Sequence, residues 1–303
     1  MIFICLNTTN LIRIVSYQII TTIWQAVSLT IISSLLMIRF EFGKNWQNFL
    51  QTVDVRRFEQ SEKALEEMLG KGTLYGKRFL DIGSGSGLSS LAALRLGARV
   101  HSFDFDPHSV ACAENLRDKL GIKKDLWIIE RGDILDQNYI KSLGQFDIVY
   151  AWGVLHHTGD MWQAITNTMT LVTPGGLCFI ALYNDQGWRS HIWRIVKWAY
   201  CNMPPILRFL IVWPAVVRLW GPATLKDIIR LKPFSTWRAY SNERGMSPRH
   251  DIVDWIGGYP FEVAKPDIVK KYFHDHGFRL VRFVGRNGIG CNEFVFEKSV
   301  SLQ

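Results

Sequence analysis

Between Asp81 and Gly87 the chain reads Asp-Ile-Gly-Ser-Gly-Ser-Gly, an acid followed by three alternating glycines. Glycine enters the left-handed backbone region without strain and carries no Cβ, so such a loop lets main-chain N–H groups come close to a ligand. Helical recurrence of Leu91, Ala92, Ala93, Leu94 and Leu96 follows, and a helix start adds unpaired N–H groups and the positive end of its dipole. This chemistry suits a polar or negative group of a nucleotide-like ligand. A nicotinamide fingerprint, Gly-x-Gly-x-x-Gly, would place its third glycine where Leu88 stands, which argues against an oxidoreductase. About twenty residues beyond the glycines Asp104 closes a second apolar run, the distance at which an acid grips ribose hydroxyls. Asp106 competes for that role, but it precedes Pro107 at the head of a helical pattern and reads better as an N-cap. His156 and His157 follow a fourth apolar run, where a neutral imidazole is a base near pH 7. Hydrogen bonding to a helix start is the structural alternative for either ring.

The elements that must hold these residues follow from period and punctuation. Arg78–Ile82 is a strand leading into the glycine loop, and Leu88 onward is a helix stopped by Gly97. Gly97–Asp104, Trp127–Glu130 and Phe146–Ala151 read as the next strands. Thr173-Pro174-Gly175-Gly176 reads as a type II turn before a fifth strand, Leu177–Leu182. Lys265–His276 is a helix closed by Gly277, and Phe278–Val284 with Asn292–Glu297 form two strands joined by a glycine-containing turn. Strands alternating with helices specify a doubly wound α/β sheet, whose ligands sit at the carboxyl ends of its strands.

Asp81, Gly83, Gly85 and Gly87 in this spacing resemble the first motif of the class I methyltransferases that use S-adenosylmethionine, and the remaining motifs recur in family order over roughly 110 residues. The resemblance implies a sheet of order 3-2-1-4-5-7-6 with one antiparallel strand. It implies S-adenosylmethionine as cofactor, held by the glycine loop, by Asp104 at the ribose, by Asp133 in Gly132-Asp133-Ile134-Leu135 facing the adenine amino group, and by Trp152 at the cofactor's border. A buried tryptophan filling the sheet edge is the structural alternative for Trp152. His157 matches the histidine of the Glu-His pair in quinone-pathway O-methyltransferases, but His156 stands where those enzymes have Glu, against a metal-assisted reaction. Methyl transfer itself needs no metal. His157 and His156 are the catalytic candidates. A small-molecule acceptor, methylated on oxygen, is the function implied. The alternatives are a ribosomal-protein type methyltransferase, whose Asn-centred motif after the fourth strand is absent, and a non-catalytic cofactor-binding scaffold.

With 303 residues, 48% hydrophobic and 20% charged, the chain has the composition of a globular protein with ample core. Its five cysteines include no Cys-x-x-Cys pair, which points away from zinc or a disulfide framework and toward the cytoplasm. The organisation reads as an apolar extension (1–38), a cofactor-binding core (39–184), a basic helical insert (185–264), and a C-terminal helix and hairpin (265–303). The extension holds 24 uncharged residues, Val15–Ile38, diluted by Ser, Thr and Gln. It is read as upstream of a natural start at Met37, with a membrane anchor as the competing reading. Arg56 and Arg57 lie on an amphipathic helix before the first strand, which the resemblance implies can fold over the cofactor; an ordinary solvated helix face is the reading preferred for both. The stretch from Asp185 to His250 has 11 Lys or Arg against 3 acids, the whole of the chain's +8 excess, and six of its twelve tryptophans. Its first helix, Ser190–Tyr200, is expected to bury Ile192, Ile195, Val196 and Ala199, and Ile206–Leu219 to be broken by Pro214. The insert is expected to cap the site, with membrane contact through it or through residues 15–38 as the alternative; no nucleic-acid module accompanies its charge. His250, Asp251, Asp254 and Tyr259 are candidate substrate contacts.

Overall fold

The computed structural model describes residues 55–233, 235–237, 255–288 and 290–300, all within the unit that begins at Phe40. The extension, the start at Met37 and His250, Asp251 and Asp254 lie outside the described residues, as do the side chains of Arg56 and Arg57. In chain order the main elements are α1 (Val55–Leu69), β1 (Arg78–Ile82), α2 (Leu88–Arg95), β2 (Arg99–Asp104), α3 (Pro107–Lys119), β3 (Trp127–Arg131), α4 (Gln137–Leu143) and β4 (Phe146–Trp152). They continue with α5 (Met161–Thr170), β5 (Val172–Tyr183), α6 (Trp188–Asn202), α7 (Phe209–Ile229), α8 (Pro266–Asp275), β6 (Phe278–Val284) and β7 (Cys291–Lys298).

The strands form one sheet in the order β3-β2-β1-β4-β5-β7-β6. Strands β1 to β5 pair in parallel, while β7 runs antiparallel to both β5 and β6. That is the order and orientation expected from the sequence. Alternation along each strand divides its side chains between two core layers. Leu80 and Ile82 of β1, Val149 and Ala151 of β4, and Cys178 and Ile180 of β5 pack with α5 and α8 on one face. Phe79, Ile148, Tyr150 and Phe179 pack with α1, α2 and α3 on the other. Asp81 shares the parity of Phe79 and therefore faces the α2 side.

Three local expectations are corrected. β5 begins at Val172 and contains the Thr173–Gly176 turn as an irregularity, since Val172 pairs with Phe146 and Leu177 with Ile148; Gly175 has φ 74°, the left-handed value that the third position of a type II turn requires. Helix α7 runs through Pro214 and Pro222 rather than breaking at the first. On α6 the buried residues are Ser190, Lys197 and Tyr200, whereas Ile192 and Ile195 are exposed. Tyr200, Ala215 and Ile256 form a small separate core joining α6, α7 and the segment that returns to the sheet.

Candidate active site

The order of the sheet reverses between β1 and β4, so the chain leaves these neighbouring strands in opposite directions and opens a crevice at their carboxyl ends. The glycine loop fills one side of it. Gly83, Gly85 and Gly87 have φ of 69°, 53° and 80°, a region that side chains enter at roughly 1–2 kcal/mol each. At Gly83 the restriction is also spatial: a Cβ would lie 2.5 Å from Val154 Cγ1. Val154 belongs to the turn after β4, so the loop and the histidine segment are in direct contact across the switch point. Gly87 caps α2 and faces Trp127, whose ring a Cβ would meet at 2.9 Å.

Asp104, at the end of β2, stitches the loop together. One carboxylate oxygen accepts the Gly85 N–H at 2.9 Å, and the other accepts the Asp106 N–H at 2.9 Å. Burial raises its pKa to about 6, against the lowering effect of those N–H groups. Asp106 accepts the His108 N–H at 2.9 Å as the N-cap of α3, with Pro107 at the first helical position, the role the sequence indicated for it. Asp81 is buried and takes a 2.6 Å hydrogen bond from Ser90 Oγ in the first turn of α2. Desolvation pushes it up to about 7. Asp133, after β3, uses Oδ1 to accept the Leu135 N–H at 2.9 Å. In the loop itself the Ser84 hydroxyl is buried with no hydrogen-bond partner among the described residues, a polar group suited to a ligand.

Past β4 the chain turns at Gly153 into a short 3-10 helix, Leu155–His157. Trp152 is 47% exposed at the strand end, so it does not fill the sheet edge. His156 is fully buried, and neither ring nitrogen is in hydrogen-bond geometry. Burial first, then the neighbouring His157 and Lys197, hold its pKa well below the ordinary value, with the Ala181 carbonyl opposing part of that shift. His157 is partly buried, and its Nδ1 lies 2.6 Å from the Pro260 carbonyl oxygen. A carbonyl only accepts, so Nδ1 carries the proton and Nε2 carries the lone pair. Burial, then the charge of Lys197, push this ring down to about 3.

Five residues at or near the histidines carry no motif in the sequence. Tyr183, at the end of β5, lies 4.1 Å from the His156 ring and 5.5 Å from the His157 ring, centroid to centroid. Lys197 of α6 is fully buried; its ammonium donates to the Trp255 carbonyl and sits 4.9 Å from the Trp255 and Phe261 ring centroids and 5.8 Å from that of Tyr183. A carbonyl and aromatic faces are what a desolvated ammonium requires. The Glu262 N–H donates to the His156 carbonyl at 3.0 Å, while the Glu262 carboxylate accepts the Met161 N–H at the start of α5. Arg194 Nε and Cys201 Sγ donate to the carbonyls of Phe261 and Gly257. The insert's first helix is thus tied to a returning segment that lies against the histidines. A signal for this was available: Ser190, Trp193, Lys197 and Tyr200 recur at helical spacing, but one polar and one charged member hide the stripe from a hydrophobicity criterion. Tyr259 is partly buried beside these residues.

Residues 80–178 match a family model described as a methyltransferase domain. The chain is 31% identical over 153 residues to a ubiquinone biosynthesis O-methyltransferase of Rhodopseudomonas palustris strain TIE-1, covering 50% of this chain and 55% of the relative. It is 33% identical over 131 residues to the protein of that name from Escherichia coli O139:H28, covering 43% and 52%. The chain therefore spans about half the length of the curated relatives it matches. Among solved structures it resembles the magnesium protoporphyrin IX methyltransferase of Synechocystis PCC 6803 with bound SAH, with TM-score 0.50, 15% identity, and 84% of this chain and 94% of the other covered. It also resembles PKMT2 of Rickettsia typhi in complex with AdoHcy, with TM-score 0.52, 12% identity, and 80% and 53% covered. At such identities the likeness concerns the fold.

Proposed function

We infer, from a domain that belongs to the class I S-adenosylmethionine-dependent methyltransferases, that this chain methylates a small, ring-bearing molecule on oxygen, with His157 as the base. The observation that carries the reading is the placement of a neutral His157, anchored through Nδ1 to Pro260, in the turn whose Val154 packs on Gly83. His157 and the glycine loop thus lie past the neighbouring strands β4 and β1, at the carboxyl edge of the sheet.

The residues present fit the cofactor. Left-handed glycines, an orphaned Ser84 hydroxyl, Asp104 at the end of β2 and Asp133 after β3 offer the donor and acceptor set that a ribose and an adenine need. In this reading Asp104 takes ribose hydroxyls with its remaining lone pairs, Asp133 takes the adenine amino group, and the exposed Trp152 borders the cofactor. Asp81 acts one step behind, by holding the start of α2 through Ser90. When bound, S-adenosylmethionine supplies a methyl group on a positively charged sulfur, which leaves as a neutral thioether when an acceptor oxygen displaces it. His157 Nε2 takes the acceptor's hydroxyl proton as the new carbon–oxygen bond forms. His156, buried beneath, supports the turn by packing on His157 and Tyr183. The insert, through Arg194, Lys197 and Cys201, closes the site against water and gives the acceptor an aromatic surround.

The names of the half-length relatives support a hydroxylated quinone-like acceptor. Incubation with methyl-labelled cofactor and a host metabolite extract, followed by separation of small molecules, protein and RNA, tests the reading. Label is expected in the small-molecule fraction, on oxygen, and His157→Gln should reduce it without loosening the cofactor. Label in protein would replace this function with protein methylation, and label nowhere would indicate a scaffold.

A further inference from the structure

Among the described residues, Pro205–Ile229 is long and apolar enough to cross a bilayer, yet only 11% of its most apolar window is buried. Besides Ile206, Leu207, Phe209 and Ile229 at its ends, its exposed apolar side chains form a stripe. Leu210, Trp213, Val217, Leu225 and Ile228 are all exposed and recur at helical spacing along α7, with Gly221 filling the gap in the stripe. Trp213 is 65% and Val217 62% exposed. The opposite side of the helix is occupied, because Ile211, Val212, Ala215 and Val216 pack around Tyr200 and Ile256. A helix fixed to its own domain along one side cannot be surrounded by lipid, so the crossing geometry is excluded while the outer stripe stays available.

The charge around the stripe selects its partner. Arg218, Lys226, Arg230 and Lys232 are exposed on and just beyond α7. The acid of this helix, Asp227, is buried and turned away, its two oxygens accepting the Thr236 N–H and hydroxyl at 2.7 Å each. A soluble partner with an apolar groove would need no such cationic margin. A leaflet containing anionic lipid matches both parts: side chains such as Trp213 and Val217 enter the headgroup boundary to a depth of about 5–10 Å, and the cations meet the phosphates. We propose that α7 is an in-plane membrane-docking helix that seats the protein on an anionic bilayer surface. The assignment stands apart from the identity of the reaction.

Flotation of the full chain with vesicles tests it. Wild type should float with phosphatidylcholine vesicles containing one third phosphatidylglycerol, float poorly with phosphatidylcholine alone, and be released by high salt. Trp213→Glu/Val217→Glu should weaken the partition about tenfold or more, with cofactor affinity and thermal midpoint unchanged. Should that variant fail to fold, Arg218→Gln/Lys226→Gln supplies the second arm, and it should abolish the preference for anionic vesicles while leaving the neutral background as it was. Wild type that floats with neither vesicle overturns the proposal. So does a folded double variant that floats as well as wild type, since the affinity then resides elsewhere in the chain. A wild-type dimer in light scattering that the double variant converts to monomer overturns it in favour of an interface between two copies.

Discussion

Asp104 accepts two backbone N–H groups and so clamps the glycine loop, in addition to the ribose-binding role proposed for it. Removing it leaves Gly85 and Asp106 without their acceptor. Asp104→Ala is expected to weaken cofactor binding by about 1.5–3 kcal/mol, the scale of hydrogen bonds to charged groups, and titration calorimetry reads this directly. Asp104→Asn, which keeps one acceptor oxygen, should lose less; equal affinity in wild type and the alanine variant would remove Asp104 from the site. At His157 the argument concerns protonation. Because burial and then Lys197 push the ring down to about 3, the base proposed for the reaction is unprotonated at neutral pH. The acid limb of turnover should therefore fall below the ordinary imidazole range. Lys197→Met removes a positive neighbour and should move that limb upward, with activity lost at a higher pH than in wild type. A limb that stays put in a folded Lys197→Met protein would show that desolvation alone sets it.

At the scale of elements, the loop after β1 and the turn after β4 are one structural unit, because Gly83 and Val154 occupy each other's space. Gly83→Ala combines a left-handed backbone cost of roughly 1–2 kcal/mol with a clash, so chemical denaturation should report a loss at or above that range. Adding Val154→Ala should recover the steric part and leave the backbone part. Full recovery would mean that φ at this position is relaxed in the mutant. This unit also marks how far the sequence could be read. Runs that alternate or recur within a few residues, such as β1 and α2 or Asp106 before Pro107, carry their own local explanation, and their elements stand where period and capping place them. The surroundings of His157 do not, because Pro260 and Lys197 come to it from two separate stretches of chain, and no local rule specifies which sides meet. On α6 the buried side is Ser190, Lys197 and Tyr200 rather than the more apolar Ile192 and Ile195. Its choice was made by the carbonyls of Trp255, Gly257 and Phe261 that it contacts.

For the whole molecule, the buried acids and the buried histidines give opposite pH dependences. Asp81 and Asp104 are raised by burial to about 7 and about 6, so the native state holds their protons more tightly than the unfolded chain. That contribution is present at low pH and is lost as pH rises through those values. His156 and His157 are lowered, so their contribution is present above the ordinary imidazole value and is lost as pH falls below it. In the mildly acidic range the two slopes oppose each other, and these four groups should leave apo stability only weakly dependent on pH. In the proposed reading cofactor breaks the balance, because ribose hydroxyls would donate to an ionised Asp104, and affinity should rise as pH passes upward through about 6. A ligand at a hundredfold excess over its Kd stabilises by about 2.7 kcal/mol, on the order of 5–10 °C for a domain of this size. Thermal denaturation with the demethylated product should therefore show a shift that grows from about pH 5 to about pH 7 at fixed ligand. Asp104→Ala should give a smaller shift that no longer depends on pH in that interval. A wild-type shift that is constant across the interval would mean that the cofactor binds without drawing on the charge of Asp104, and the loop's N–H groups and Ser84 would then have to hold it.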